Sequence, residues 1–348
     1  MNFIRWLPLL YCILATSRHK GCDTEQVSAS MPVAVTLADK NGVVANLDFS
    51  FSPSAAAVWA QCPRRWWHRY VDRLPEPPPG EPAILGTFVH QILELLIDQP
   101  AELRTVETAR KFAADVWSSI AESEDWKSLE LDAGASLRFR QRAWATVEAY
   151  FSMIEPSDVE PIAQELEVRV EVGGVPFRGF IDLVERDPLT SEVVVTDYKT
   201  GAPPVEGKPW SEETAQEKLL QPMWYAAALT ELGEHVPTSA RLLYFTVEES
   251  RDRRSLNKRT REMAVEVDEQ ALSAARLELR RRWDQISEAL EKGQAESRPS
   301  ALCGWCPFVE ICAEGDAEVR RRWSEVNPYS GQRRMRSDAP AVALLALN

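Results

Sequence analysis

The sequence lacks a phosphate-binding loop. Its nearest approach, from Gly201 to Lys208, puts five residues between the glycines where the motif has four, and Pro209 stands where Ser or Thr should follow the lysine. No nucleotide-driven motor is therefore expected. An internal repeat is also missing. So is a bilayer-length apolar run, because the N-terminal run from Trp6 to Ala15 is too short to span. Cysteine is scarce: six residues in 348, three of them close together near the C-terminus, which is not the dense spacing of a secreted disulfide framework. Positive charge is in deficit, with a formal net charge of −13, so the chain is not an obvious nucleic-acid binder, although net charge says little about any one face. The local basic runs (Arg251 to Arg261, Arg280 to Arg282, Arg320 to Arg322) read as solvated helix faces or loops.

Hydrophobic residues make up 45% and charged residues 27%, enough to fill a sizeable core. At the N-terminus, Arg5 and the apolar run have the form of a signal-peptide core, which would mean export. Clustered thiols fit a reducing compartment better. The expectation is therefore a cytoplasmic protein whose synthesis begins at Met31, with residues 1–30 an upstream extension. Residues 1–47 are expected to form a poorly ordered leader, 48–325 one domain, and 326–348 a flexible tail.

Residues 51–70 have a helical pattern, with Ser52 able to cap and Pro53 at the first position. A proline-rich stretch over 75–82 breaks it. Helical patterns resume over 84–97 and 102–154. The period then changes to two: Leu166, Val168, Val170 and Val172 alternate with Glu165, Glu167, Arg169 and Glu171. Gly173-Gly174 marks a hairpin turn. Strands are expected over 175–185, 192–198, 241–247 and 263–267, with helices over 213–232 and 268–292. This order implies an α/β (α+β) fold with a small mixed sheet flanked by helices.

The second and third strands carry the chemistry. One ends in Gly179-Phe180-Ile181-Asp182, the other in Asp197-Tyr198-Lys199-Thr200-Gly201. Alternation puts Asp197 and Lys199 on one side and Tyr198 on the other, and antiparallel pairing can bring Asp182 beside Asp197. Two adjacent carboxylates repel unless a cation joins them, and Mg²⁺ prefers such oxygen donors. A lysine beside them can stabilise a charged transition state. The residues resemble the RecB/AddB-type nucleases of the PD-(D/E)xK superfamily, including the nucleases of CRISPR adaptation. The resemblance covers about residues 48–315 and implies a restriction-endonuclease-like core. It also implies that Asp182 and Asp197 bind Mg²⁺ or Mn²⁺ together with the Tyr198 carbonyl, and that Lys199 is catalytic. Gly86-x-x-x-His90 matches a helix whose histidine binds metal in that family. Gln221-x-x-x-Tyr225 matches a helix that positions DNA or the attacking water. An acidic residue of the first strand is expected near the site, and of Glu165 and Glu167 we favour Glu165.

Cys303-x-x-Cys306 and Cys312, with Cys62 far upstream, could supply four thiolates. Spacing alone leaves zinc and an iron–sulfur cluster open. The resemblance implies a [4Fe–4S] cluster joining the N- and C-terminal parts, with Zn²⁺ as the alternative. Cys12 and Cys22 have no place in this pattern. As a whole the resemblance implies a metal-dependent deoxyribonuclease, most simply an exonuclease. It would act on single-stranded DNA or free ends, with a helicase or recombination protein as a possible partner and no membrane. The competing class is a non-catalytic DNA-binding or assembly protein that retains the fold.

Overall fold

Strand alternation and turn chemistry organise the centre of the molecule. The computed structural model describes residues 51–233, 235–250 and 255–326, plus two short antiparallel strands, β1 (Val35–Ala38) and β2 (Val44–Leu47). Expectations for the first 34 residues, including Met31, Cys12 and Cys22, and for 327–348 lie outside the described residues. β3 (Glu160–Val172) and β4 (Val175–Arg186) form the expected hairpin. Gly173 and Gly174 have φ of +56° and +76°, the double left-handed turn that matches strand twist and that glycine adopts without cost. β5 (Val193–Lys199) pairs antiparallel with β4. A parallel strand must then be reached by a crossover, and α7 (Pro209–Leu232) supplies it before β6 (Ser239–Glu249). β7 (Leu256–Glu266) closes the mixed sheet, in the order β3-β4-β5-β6-β7.

Among the described residues, six α-helices precede the five-stranded sheet. Two expected single helices prove to be broken. Residues 51–70 split into α1 (Pro53–Gln61) and α2 (Pro63–Tyr70), because Cys62, which precedes a proline, is extended. After α3 (Glu81–Ile97), the stretch 102–154 divides into α4 (Val106–Glu122), α5 (Glu124–Lys127) and α6 (Ala133–Phe151). Ser123 and Asp132 cap the new starts. α8 (Glu269–Lys292) follows the sheet, and α9 (Ala313–Val326) comes last.

The sheet is a middle layer. On one face Val168, Phe177, Ile181 and Val195 pack with Trp224 of α7 and Leu279 of α8. On the other, Leu183, Tyr198, Leu243 and Phe245 pack with Ile92 of α3 and Tyr150 of α6. Arg282 is buried between α1, α7 and α8. It forks onto Glu217 at 2.6 and 2.7 Å and also donates to Glu278 and the Ala56 carbonyl. A buried guanidinium with its donors met in this way ties three helices together. Among the described residues no helix is long and apolar enough to cross a membrane.

The N- and C-terminal parts meet, but not through a four-cysteine cluster. Arg64 donates from its backbone N–H to the Glu296 carbonyl and from Nε to the Ala295 carbonyl, and the His68 ring meets Phe308 edge-on. Cys62, Cys303, Cys306 and Cys312 border one cavity as free cysteines. Burial pushes the Cys306 and Cys312 thiols up, towards the protonated form. The cysteines do not form a donor set. Among the described residues, the one group of His, Cys, Asp or Glu ligand atoms lying within 4.8 Å of one another is elsewhere and contains no cysteine. The expected [4Fe–4S] cluster, its zinc alternative and the joining role given to either are corrected accordingly. Hydrogen bonds and ring packing hold the two ends together.

Candidate metal centre

The ladder between β4 and β5 runs from Arg186↔Val193 to Leu183↔Thr196 and stops there. The next opposed pair would be Asp182 and Asp197, as the register predicts. Instead of continuing the ladder, Asp182 uses Oδ2 to accept the Tyr198 backbone N–H at 2.7 Å. The strands part at that point, β4 remaining with β3 and β5 with β6. The carboxylates lie in the fork.

Three elements converge on Asp182. His90, one helical turn after Gly86 on α3, brings Nδ1 to 3.6 Å from Asp182 Oδ1. Glu165 of β3 supplies the third donor, and the ligand atoms of His90, Glu165 and Asp182 all lie within 4.8 Å of one another. Glu165 has φ of +43°, a left-handed conformation rare for a non-glycine residue in a strand. Such strain costs about 1–3 kcal/mol and collects at functional sites. Glu167, by contrast, pairs with Arg169 and Arg178 and takes no part. Sequence alternation could not separate the two glutamates. The local backbone does.

Burial and mutual repulsion shift the carboxyls of the cluster towards the protonated form. Burial first, then the Asp197 charge, raises Asp182 well above the usual carboxylate range. Glu165 is exposed as a residue, but its carboxyl end faces the group and is pushed up to about 7 by burial, Glu94 and Asp197. His90 is lowered, chiefly by burial, with Asp197 pulling the other way. Its ring is thus held in the neutral form that can donate a lone pair. Asp197 is 2% exposed and ion-paired to Lys199, yet no hydrogen-bond donor is aligned with its Oδ2. Two hard carboxylates, an imidazole and an underused buried oxygen suit a Mg²⁺- or Mn²⁺-sized cation.

Lys199 is held from two sides. It pairs with Asp197, and its Nζ donates to Gln221 Oε1 at 3.0 Å. Gln221 Nε2 in turn reaches Tyr225 OH at 3.5 Å, one turn along α7. Tyr225 packs closely against β4, and Gly179 makes room for it: a Cβ there would fall 2.5 Å from Tyr225 Cε1. The glycine of the Gly-Phe-Ile-Asp segment is thus a close-approach glycine. Gly179→Ala should cost about 1–3 kcal/mol by overpacking and lower turnover by displacing Tyr225, Gln221 and Lys199 in series. Denaturant unfolding and turnover measured on the same preparation check this. Unchanged stability and turnover would uncouple Tyr225 from the lysine. Gly201, in contrast, has open space around it, and nothing in the structure explains it.

Two further residues were not anticipated. Lys218 lies three residues before Gln221, with Nζ 5.5 Å from the centre of the Tyr244 ring, and it is lowered by burial and by Lys199. Tyr244 pairs in register with Lys199. It is fully buried and raised to about 12 by burial and Asp197, and its hydroxyl has no hydrogen-bond partner. Lys218 was legible in principle, because positions 218, 221 and 225 share a helix face.

A fold and a fork of acids with a tethered lysine define a class, and comparison with known proteins agrees. Residues 50–313 match the model of the PD-(D/E)XK nuclease superfamily. The chain belongs to that superfamily. No curated protein matches. A solved structure of a "putative exonuclease" from Eubacterium rectale is similar at 13% identity. It covers 74% of this chain and 86% of its own, with a TM-score of 0.41.

Proposed function

We propose that this protein is a Mg²⁺- or Mn²⁺-dependent deoxyribonuclease that degrades DNA from free ends, as an exonuclease in repair, recombination or the processing of foreign DNA. The observation that carries the reading is the convergence of His90, Glu165 and Asp182 beside the Asp197–Lys199–Gln221 chain in a nuclease-superfamily fold. His90, Asp182, Asp197 and the Tyr198 carbonyl would hold the metal, and Glu165 joins them from β3. When bound, a divalent cation polarises a phosphodiester and activates water. The protein supplies the rest. Gln221 and Asp197 fix the Lys199 ammonium where negative charge develops on the phosphate, so little reorganisation is needed during reaction. Tyr225 braces Gln221. The similarity to RecB/AddB-type nucleases and to those of CRISPR adaptation rests on the Gly-Phe-Ile-Asp and Asp-Tyr-Lys-Thr-Gly segments, and a helicase or recombination protein is the partner it suggests. Covalently closed circles would remain intact under an exonuclease. Nicking of circles would make the enzyme an endonuclease instead.

Protons and metal compete for the same carboxylates. With Glu165 raised to about 7 and Asp182 also raised, Mn²⁺ affinity should climb as pH rises from 6 to 8. Each displaced proton contributes up to about tenfold per pH unit below the carboxyl's pKa. Calorimetric titration in buffers of different ionisation enthalpy should detect proton release on metal binding at pH 6.5. A flat affinity profile without proton release would mean that these carboxylates do not hold the ion.

A further inference from the structure

β4 leads out of the metal centre past one exposed aromatic side chain. Side chains alternate along a strand, so Arg178 and Phe180 share one face, opposite the face on which Phe177 and Ile181 are buried; the alternation shifts beyond Ile181, since Leu183 packs in the core on the other side of the sheet, and Asp182 sits at that shift. Asp182 is in the acid cluster. Phe180 is 46% exposed, although it lies within a strand of the central sheet. The Arg178 guanidinium sits 5.7 Å from the ring centre, and Arg178 also pairs with Glu167 on β3. Arg169, directly opposite Arg178 in the hairpin, pairs with the same Glu167. One carboxylate therefore faces two guanidiniums, beside a partly exposed aromatic ring over which Arg178 lies. Isolated exposed apolar residues are common. This one is set apart by its position, two residues from a metal-ligand candidate, with cationic side chains around it.

We propose that Phe180, flanked by Arg178, is the stacking platform for an unpaired base, one nucleotide away from the phosphate held at the acid cluster. Two residues of strand rise roughly 6.5–7 Å, about the length of one nucleotide in an extended single strand. An aromatic face is matched by any base, so the contact is sequence-tolerant, and the guanidiniums meet the adjoining phosphate. A base inside a duplex is already stacked on both sides and cannot use the ring. The platform therefore makes single-stranded DNA the preferred substrate and requires a duplex end to fray before cleavage. The inference rests on the nuclease reading and deepens it by naming the side chain that holds an unpaired base beside the site.

The test is binding of short labelled oligonucleotides to the full chain carrying Lys199→Ala, with Mn²⁺ present, with and without Phe180→Ala. A set of oligonucleotides moves one abasic site along the strand. Phe180→Ala should weaken binding of the intact single strand by about tenfold or more, while Phe180→Trp keeps it. At one abasic position the loss should already be present and Phe180→Ala should add nothing. At every other position the two losses should multiply. Blunt duplex should be bound equally by both proteins. Multiplicative losses at every position, or unchanged affinity for the single strand, would overturn the platform. Phe180→Leu, which keeps an apolar side chain in the strand, guards against misfolding: it should retain the unfolding midpoint and still lose the coupling. Cleavage by the unsubstituted protein is scored separately. Cleavage without coupling removes the platform alone, and coupling without cleavage removes the nuclease reading alone.

Discussion

Replacing Lys199 with Ala should lower metal-dependent cleavage by about 10²–10³-fold, the usual cost of deleting one preorganised group that stabilises transition-state charge. DNA affinity should change little, because the side chain is only 25% exposed and most of its contacts are internal, to Asp197 and Gln221. The loss should therefore fall on kcat and leave KM nearly unchanged, as expected for an interaction made in the transition state. The substitution also strips buried Asp197 of its ion-pair partner, so the metal-free variant should be less stable and added Mn²⁺ should restore part of the difference. Lys199→Met, which retains most of the packing, separates the two effects: its stability should lie nearer the parent while kcat stays low. Gln221→Ala leaves the ammonium in place but untethered, and a smaller loss in kcat is expected. Steady-state kinetics on a single-stranded substrate, with melting curves in metal and in chelator, check all three. Unchanged cleavage by Lys199→Ala would remove the lysine from the chemistry.

Asp182→Asn should move activity and stability in opposite directions. Deleting partners that merely orient a metal ligand costs about 10–100-fold, so losing a ligand charge should cost more than about 100-fold in cleavage. The fold has less to lose. Asn Oδ1 can still accept the Tyr198 backbone N–H, while the repulsion of Asp182 by Asp197 and Glu165 disappears. The pH dependence follows from the direction of the shifts. A carboxyl whose folded pKa is raised stabilises the folded state fully below its unfolded pKa, and that contribution is lost as pH rises through the folded value. For Glu165 the loss runs from the ordinary carboxylate range up to about 7, and Asp182 adds to it in the same direction. Metal-free parent protein should thus be weaker at pH 8 than at pH 5 on account of this cluster. Asp182→Asn should gain about 0.5–2 kcal/mol at pH 8, within the usual range for relieving a functional site of strain, and little at pH 5. Melting in chelator at the two pH values measures it. A variant less stable than the parent at pH 8 would mean that the carboxylate is held by favourable contacts.

The parts of this molecule legible in its sequence are those governed by short-range rules. Period-two alternation from Leu166 to Val172, the Gly173-Gly174 turn and the run Val193 to Val195 were enough to order β3, β4 and β5 and to set Asp182 opposite Asp197. Helices were harder to bound, because one residue decides where they break. Cys62 before Pro63 and the Ser123 cap divide segments whose apolar pattern runs on. Glu165 could be favoured over Glu167 but not separated from it by alternation, since the choice depends on a left-handed residue in mid-strand. Tyr244 was invisible, because its place beside Lys199 comes from a parallel pairing reached through a crossover. The cysteines show the opposite error. Their spacing identifies a set of residues, but it does not say whether the sulfurs converge as a donor set, and here the convergent donors are His90, Glu165 and Asp182.

The most direct test of the metal-centre account is cleavage of end-labelled linear single-stranded DNA by the purified unsubstituted chain, run in parallel with Mg²⁺, with Mn²⁺ and with EDTA. Progressive loss of the labelled strand in either metal, none in EDTA, and recovery when metal is returned in excess is the predicted result. Cleavage that persists in EDTA, or intact DNA in every metal with protein shown to be folded, would contradict it.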